Sequence, residues 1–309
     1  MDVRISIIGT GLVGSSTAFA LLSAGTASEL VLVDIDRQKA EGDAMDLNHG
    51  VSFVSPVQVR AGDFSDCKGS RIVIYAAGAN QKPGETRLDL AARNVSILKD
   101  TIPKLQKACP DAIFLIVANP VDILTYAALK ESGLPPHQII GSGTVLDSSR
   151  FRFLLSQHFG VDARNVHAYI VGEHGDTEVP LWSLANIGGA DLHHIDFFGK
   201  APLDRQAIFN DVKNAAYQII ERKGATFYGI ALAVRRICET ILRDEHSVLT
   251  VSSRVNGLYG INDVCLSLPC LVTATGRETI LDLPLSFEEE RSLRDSASSL
   301  RAVLNDLGY

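Results

Sequence analysis

The sequence predicts an α/β protein in which an N-terminal doubly wound parallel sheet precedes a C-terminal α+β region. Two patterns carry this expectation. Short apolar, β-branched runs alternate with stretches of helical periodicity through the first half. The first of those turns is also glycine-rich in a specific spacing, Gly9-Thr10-Gly11-Leu12-Val13-Gly14.

The opening strand is Val3 to Ile8, and a helix-favouring stretch, Ser15 to Ser23, follows the glycines. The run Ile5 to Ala24 is apolar enough to imitate a signal peptide or a membrane span. Its glycines argue against that, because they fit a strand–turn–helix that binds a dinucleotide. Gly9 permits the tight turn, Gly11 lets the backbone approach a pyrophosphate, and Gly14 allows close packing of the helix. The helix N-terminus adds amide donors and a favourable dipole, and Val13 in the glycine turn is read as a further cofactor contact. A second strand, Leu30 to Val33, ends at Asp34, 20 residues beyond Gly14. A carboxylate there accepts from the ribose hydroxyls and repels a 2′-phosphate, which predicts a Rossmann domain specific for NAD.

Further strands are read at Val57 to Arg60, Ile72 to Ala76 and Ile113 to Ala118, with a helix from Val121 to Lys130. Pro103 predicts that the stretch Leu88 to Ala108 forms two helical pieces or one bent helix. The pattern changes after about Gly143, so the expected division is a cofactor domain over 1–143 and a substrate domain over 144–309. The second part reads as a helix from Leu146 to Phe159, a strand Ala168 to Val171, and a long helical tract from Asp204 to Arg243. Strands near Ser247 to Val251 and Val264 to Leu271 and a final helix from Ser286 to Leu307 complete it.

Composition narrows the function classes. The 309 residues are 46% hydrophobic and 21% charged, enough for a sizeable core, and the net charge of −7 excludes a broad basic field for nucleic acid or an anionic membrane. Five scattered cysteines without a CxxC spacing predict reduced thiols in a cytoplasm and no metal site.

Chemistry concentrates around His174 in Gly172-Glu173-His174-Gly175-Asp176, at the end of a strand, and around Asp147-Ser148-Ser149-Arg150. Imidazole can give or take a proton near neutrality; Asp147 can fix its tautomer, and Arg150 offers a planar fork for a carboxylate. The loop from Gly78 to Arg87 leaves the carboxyl end of a parallel strand, where ligands bind, and carries Gln81 and Arg87. Asn119, in Asn119-Pro120-Val121-Asp122, also ends a strand. It can face a nicotinamide or substrate, or equally cap the helix that follows.

The ordered set GTGLVG, Asp34, GANQKPGETR, NPVD, GSGTVLDSSRFR, VGEHGD and KGATFYGIA resembles the lactate/malate dehydrogenase family over essentially the whole chain. Within it the pattern is most similar to bacterial L-lactate dehydrogenases, because Gln81 stands where malate-specific relatives typically carry arginine. The resemblance implies that His174 and Asp147 transfer the proton, Arg87 polarises the substrate carbonyl, and Arg150 holds the substrate carboxylate. It also implies that Asn119 and Ser142 contact the nicotinamide side, and that Thr226 and Ile230, one helical turn apart, line the substrate pocket and the nicotinamide. The reaction implied is reversible hydride transfer between NADH and pyruvate giving L-lactate, in a homotetramer. Arg152 and His167 match a fructose 1,6-bisphosphate site of such enzymes, although unregulated relatives carry similar residues and an exposed Arg with a strand-end His is an equal reading. Malate dehydrogenase and a catalytically idle NAD-binding protein are the alternatives; Gln81 weighs against the first, and the quartet Arg87, Asp147, Arg150 and His174 against the second.

Overall fold

A computed structural model describes residues 3–79, 84–192 and 202–309. The first half alternates β1 (Arg4–Ile8), α1 (Leu12–Ala24), β2 (Glu29–Val33), α2 (Arg37–His49), β3 (Gln58–Ala61), β4 (Ile72–Tyr75), α3 (Arg87–Ala108), β5 (Ile113–Ile116), α4 (Val121–Ser132) and β6 (Ile139–Gly141). The second half holds α5 (Val145–Phe159), β7 (Val166–His167), β8 (Ile170–Val171), β9 (Val179–Pro180), β10 (Asn186–Ile187) and β11 (Ala190–Asp191). It continues with α6 (Arg205–Lys223), α7 (Tyr228–Leu242), β12 (Ser247–Leu249), β13 (Ser252–Asn256), β14 (Asn262–Ser267), β15 (Cys270–Thr273), β16 (Gly276–Ile280) and α8 (Phe287–Asp306).

Six parallel strands run in the order β3-β2-β1-β4-β5-β6, and the antiparallel pair β13–β14 extends the sheet beyond β6. The central strands are apolar on both faces because side chains alternate into two separate cores. Ile8, Val31 and Val33 enter one with α3, α4 and α8; Ile5, Ile7, Leu30 and Leu32 enter the other with α1 and α7. A third core joins Phe151 and Leu155 of α5 to Val166, Ile170 and Val212. The strand order reverses between β1 and β4, so their carboxyl ends open a crevice at the switch point.

Two expectations are corrected and a third is narrowed: Arg87–Ala108 is one helix containing Pro103, the uninterrupted form of the two expected. Pro103 lies on the exposed face, where the helix bond it cannot make is lost at the surface, while Leu98, Ile102 and Leu105 keep the buried stripe intact. The tract Asp204 to Arg243 is two helices. Gly224 takes a left-handed φ of 82° and its amide closes on Ile220, which ends α6. Thr226 therefore sits in the break before α7 and not on one helix with Ile230. Likewise the expected strand Val264 to Leu271 is cut at Leu268-Pro269, since proline supplies no ladder donor, and β15 resumes in a small antiparallel sheet with β12 and β16.

Candidate active site

The glycine turn closes by steric necessity. Gly9 has φ 90°, and a Cβ there would meet the Ala77 backbone at 2.7 Å; a Cβ on Gly14 would collide with the Gly9 carbonyl oxygen. Gly11 differs: nothing lies within 4 Å of its imagined Cβ. That open space sits over the first turn of α1, where the amides of Leu12 and Val13 have no intrahelical acceptor. It belongs to a cleft of about 920 Å³ lined by Gly9, Gly11, Asp34, Ala77, Gly78 and Asp100. Asp34 follows β2 and accepts from the Thr10 amide at 2.6 Å and the Asp36 amide at 2.9 Å, which aims its carboxylate along the cleft wall. The bare cradle at Gly11, the unbonded amides and the carboxylate fit the pyrophosphate and ribose of NAD.

In the second half of the chain, α5 presents Asp147 and Arg150 one turn apart. Asp147 is buried at 3% exposure; one oxygen accepts from Arg150 Nη1 at 2.7 Å and the other meets His174 Nδ1 at 2.6 Å. With Nδ1 engaged, His174 turns Nε2 outward, and its side chain keeps 27% exposure. The Asp147 charge beside it raises the imidazole pKa to about 9 against the opposing effect of burial. Burial works to raise Asp147, but His174 and Arg150 outweigh it and hold the carboxyl below the usual range.

The main chain leading to His174 is clamped from three sides. The Gly172 amide donates to the Ser267 carbonyl at 2.8 Å, the Glu173 amide to Ser296 Oγ at 2.9 Å, and the His174 amide to Asp122 Oδ2 at 2.7 Å. Arg87, the first residue of α3, is exposed and pairs with Asp176, two residues past His174; its Nη2 donates to the Tyr217 hydroxyl at 2.7 Å. The α3 start is fixed by a capping box between Thr86 and Asp89.

The remaining sequence-derived positions fall as follows. Asn119 precedes α4 but does not cap it, because Pro120 is the cap residue and makes no side-chain cap bond; the Asn119 carbonyl accepts from Asn94 at 2.7 Å. Ser142 is buried just after β6, its amide bonded to the Ile116 carbonyl at 2.8 Å. Ile230 occupies the first turn of α7 against the second core. Arg150 and Arg152 take separate partners: Arg152 Nε donates to the Ala168 carbonyl at 3.0 Å and lies over Tyr169, beside exposed His167 on β7. Gln81 lies outside the described residues.

Two carboxylates went unassigned in the sequence. Asp122 and Glu178 are both buried, and each has an oxygen without a hydrogen-bond partner. The readable signal for Asp122 was an acid inside the apolar run Val121-Asp122-Ile123-Leu124; Glu178, among polar neighbours, offered none. Among the described residues no group of three or more His, Cys, Asp or Glu could hold a metal, and no helix is long and apolar enough to cross a membrane.

Comparison with known proteins identifies the family. The NAD binding domain model of lactate/malate dehydrogenase matches residues 3–141, and the alpha/beta C-terminal domain model matches 144–307. An L-lactate dehydrogenase of Moorella thermoacetica is 56% identical over 98% of this chain and 97% of its own length. L-lactate dehydrogenase 1 of Clostridium acetobutylicum is 54% identical over 99% of each. Among solved structures, a lactate dehydrogenase from a Medee basin deep-sea metagenome library superposes with a TM-score of 0.95 at 44% identity, covering 100% of this chain and 99% of that one. The minor L-lactate dehydrogenase of Enterococcus mundtii gives 0.95 at 42%, covering 99% and 98%. With both domain models matched in order along nearly its full length, the chain belongs to the lactate/malate dehydrogenase family.

Proposed function

We propose that this protein is an NAD-dependent L-lactate dehydrogenase interconverting pyruvate and L-lactate. The observation that carries the reading is a buried carboxylate, Asp147, bonded at once to a proton donor and to a carboxylate-binding arginine. Arg150 meets Asp147 through Nη1, which leaves the rest of its guanidinium fork to grip the substrate carboxylate. That grip sets the keto oxygen against His174 Nε2. The cleft at Gly11 and Asp34 would hold NADH, which when bound would provide hydride for the keto carbon. As the bond order of the carbonyl falls, negative charge grows on oxygen, and His174 passes its proton there while Asp147 stabilises the imidazolium beforehand. Arg87, held near by Asp176, adds positive charge to the same oxygen once released from that pair. In the reverse direction neutral His174 accepts the hydroxyl proton.

Gln81 is assigned to face the substituent on the keto carbon, where a methyl is tolerated and a second carboxylate lacks a counter-charge. The division into a cofactor part over 1–143 and a substrate part over 144–309 is part of this reading, supported by where the two family models end and begin. Five buried free cysteines are in keeping with a reducing cytoplasm, and the implied role is fermentative, at the pyruvate end of glycolysis. An apolar groove of about 510 Å³ between α1, α2 and α7, lined by Phe19, Ala20, Leu47, Tyr228, Ala231 and Leu232, supports a homo-oligomer, here assigned as a tetramer. Arg152 Nε bonds the Ala168 carbonyl, next in sequence to exposed His167, and this nearness is what supports a fructose 1,6-bisphosphate site.

The test is NADH oxidation with pyruvate or oxaloacetate, each with and without fructose 1,6-bisphosphate, alongside the solution mass. Pyruvate is expected to be preferred in kcat/KM by about a thousandfold, with a lower apparent KM when the bisphosphate is present. Oxaloacetate preference would make the chain a malate dehydrogenase, and no turnover with either would leave only cofactor binding. Identical curves with and without bisphosphate would remove the regulatory site.

A further inference from the structure

Asp122 is the second residue of α4 and only 2% exposed. A carboxylate that deep costs several kcal/mol unless partnered, yet only one of its oxygens is bonded, and its donor is the main-chain amide of His174, 52 residues away. The Ser252 hydroxyl lies near the carboxylate and is likewise without a hydrogen-bond partner. Ser252 cannot back away, because β13 packs it against Gly141, where a Cβ would meet Ser252 Cβ at 2.9 Å and Val121 at 3.1 Å. The wedge of α4, β6 and β13 thus fixes Asp122, and Asp122 fixes His174. The same four-residue segment begins with Asn119, assigned to the nicotinamide side.

We propose that Asp122 is a positioning residue of the proton transfer, tying the His174 main chain to the segment that bears Asn119 and adding negative charge behind the imidazole. This rests on the lactate dehydrogenase reading of the site. Neither the other two amide anchors nor Asp147 can substitute for it. Ser267 and Ser296 hold residues 172 and 173, and Asp147 holds only the ring. Burial pushes the Asp122 carboxyl up to about 6, so it is ionised where His174, raised to about 9, titrates. The charged or titratable groups facing the pair are Glu173, Glu178, Asp147 and Arg150 around the loop and Cys265 on β14.

Two variants separate geometry from charge. Asp122→Asn keeps an oxygen to accept the His174 amide, and its new NH₂ can donate to Ser252. Asp122→Ala removes the acceptor. Displacing a proton donor by about 1 Å can cost about 10²-fold in rate. The expected result is a kcat for pyruvate reduction about 10²-fold lower in Asp122→Ala, with NADH affinity within about twofold of wild type. Asp122→Asn should recover kcat to within about tenfold, with the His174 pKa shifted down by about 0.5 to 1 unit. That pKa is read by NMR on the free protein, the His174 resonance being the one absent in His174→Asn. Wild-type kcat in Asp122→Ala, or an unmoved His174 titration in Asp122→Asn, overturns the proposal. Equal loss of rate and of NADH affinity in both variants makes Asp122 merely structural and also overturns it. If the alanine variant fails to fold, the asparagine titration decides alone. A wild-type protein that reduces no 2-oxo acid would refute the functional reading instead, and the titration would still test the coupling.

Discussion

Asp147→Asn changes one atom type at the centre of the site, and its consequence can be worked from the structure. His174 stands at about 9 against an ordinary 6.5, chiefly through the Asp147 charge 2.6 Å from Nδ1. That difference corresponds to about 3 kcal/mol favouring the imidazolium. At pH 7.5 the wild-type imidazole is about 97% protonated, whereas with the pKa returned to about 6.5 or lower by burial it is at most about 10% protonated. Protonation alone therefore lowers kcat/KM for pyruvate about tenfold at pH 7.5. Lost ring orientation, and an Arg150 deprived of its ionic partner, bring the total to about 10²- to 10³-fold. The two parts separate with pH. The protonation part vanishes near pH 5.5, while the positional part persists, and Arg150 reports itself as a raised KM at every pH. The assay is single-turnover NADH oxidation between pH 5.5 and 9.5 with enzyme saturated in cofactor. A variant that keeps a limb near pH 9, or loses activity equally at all pH values, refutes the assignment of Asp147 as the source of the His174 basicity.

Three further outcomes are expected. Gly11→Ala meets no atom within 4 Å in the free protein, so its melting temperature should stay within about 2 °C of wild type while NADH affinity falls about tenfold or more; unchanged affinity by fluorescence titration would move the pyrophosphate elsewhere. Glu178, raised to about 8 by burial and by the Asp147 charge, binds its proton more tightly folded than unfolded, where 4.5 is ordinary, so it costs stability increasingly as pH rises from 4.5 to 8. Glu178→Gln should melt with wild type near pH 5 and above it at pH 8, and a pH-independent difference would contradict this. Gln81→Arg should shift kcat/KM toward oxaloacetate by supplying the missing counter-charge; an unchanged ratio in steady-state kinetics removes Gln81 from its role.

Much of the cofactor half was legible because parallel strands covered on both faces must be continuous apolar runs, as Ile72 to Tyr75 and Ile113 to Ile116 are. The glycine turn was legible because sterics leave Gly9 and Gly14 no alternative. The break at Gly224 was hidden, since apolar spacing from Ile208 to Ile219 continues smoothly into Ile230, and a single left-handed residue interrupts it. The two-residue strands β7 to β11 carry too few side chains to show a period of two. In the site, His174 announced itself between glycines at a strand end, and Asp147 and Arg150 by their residue types one turn apart on a helix. Asp122 showed only as an acid in an apolar run, and its tie to His174 did not show, because a main-chain amide as partner leaves no mark in sequence.

The three amide bonds ahead of His174 also bear on temperature. They come from β14, α8 and α4, elements far apart in the chain, so the loop is ordered by folding and not by ligand. Immobilising each backbone residue costs on the order of 1–2 kcal/mol of entropy, and here that loss precedes the encounter with substrate. Turnover should then carry a small entropic barrier at the proton donor, and warming should leave the donor in place until α8 itself detaches.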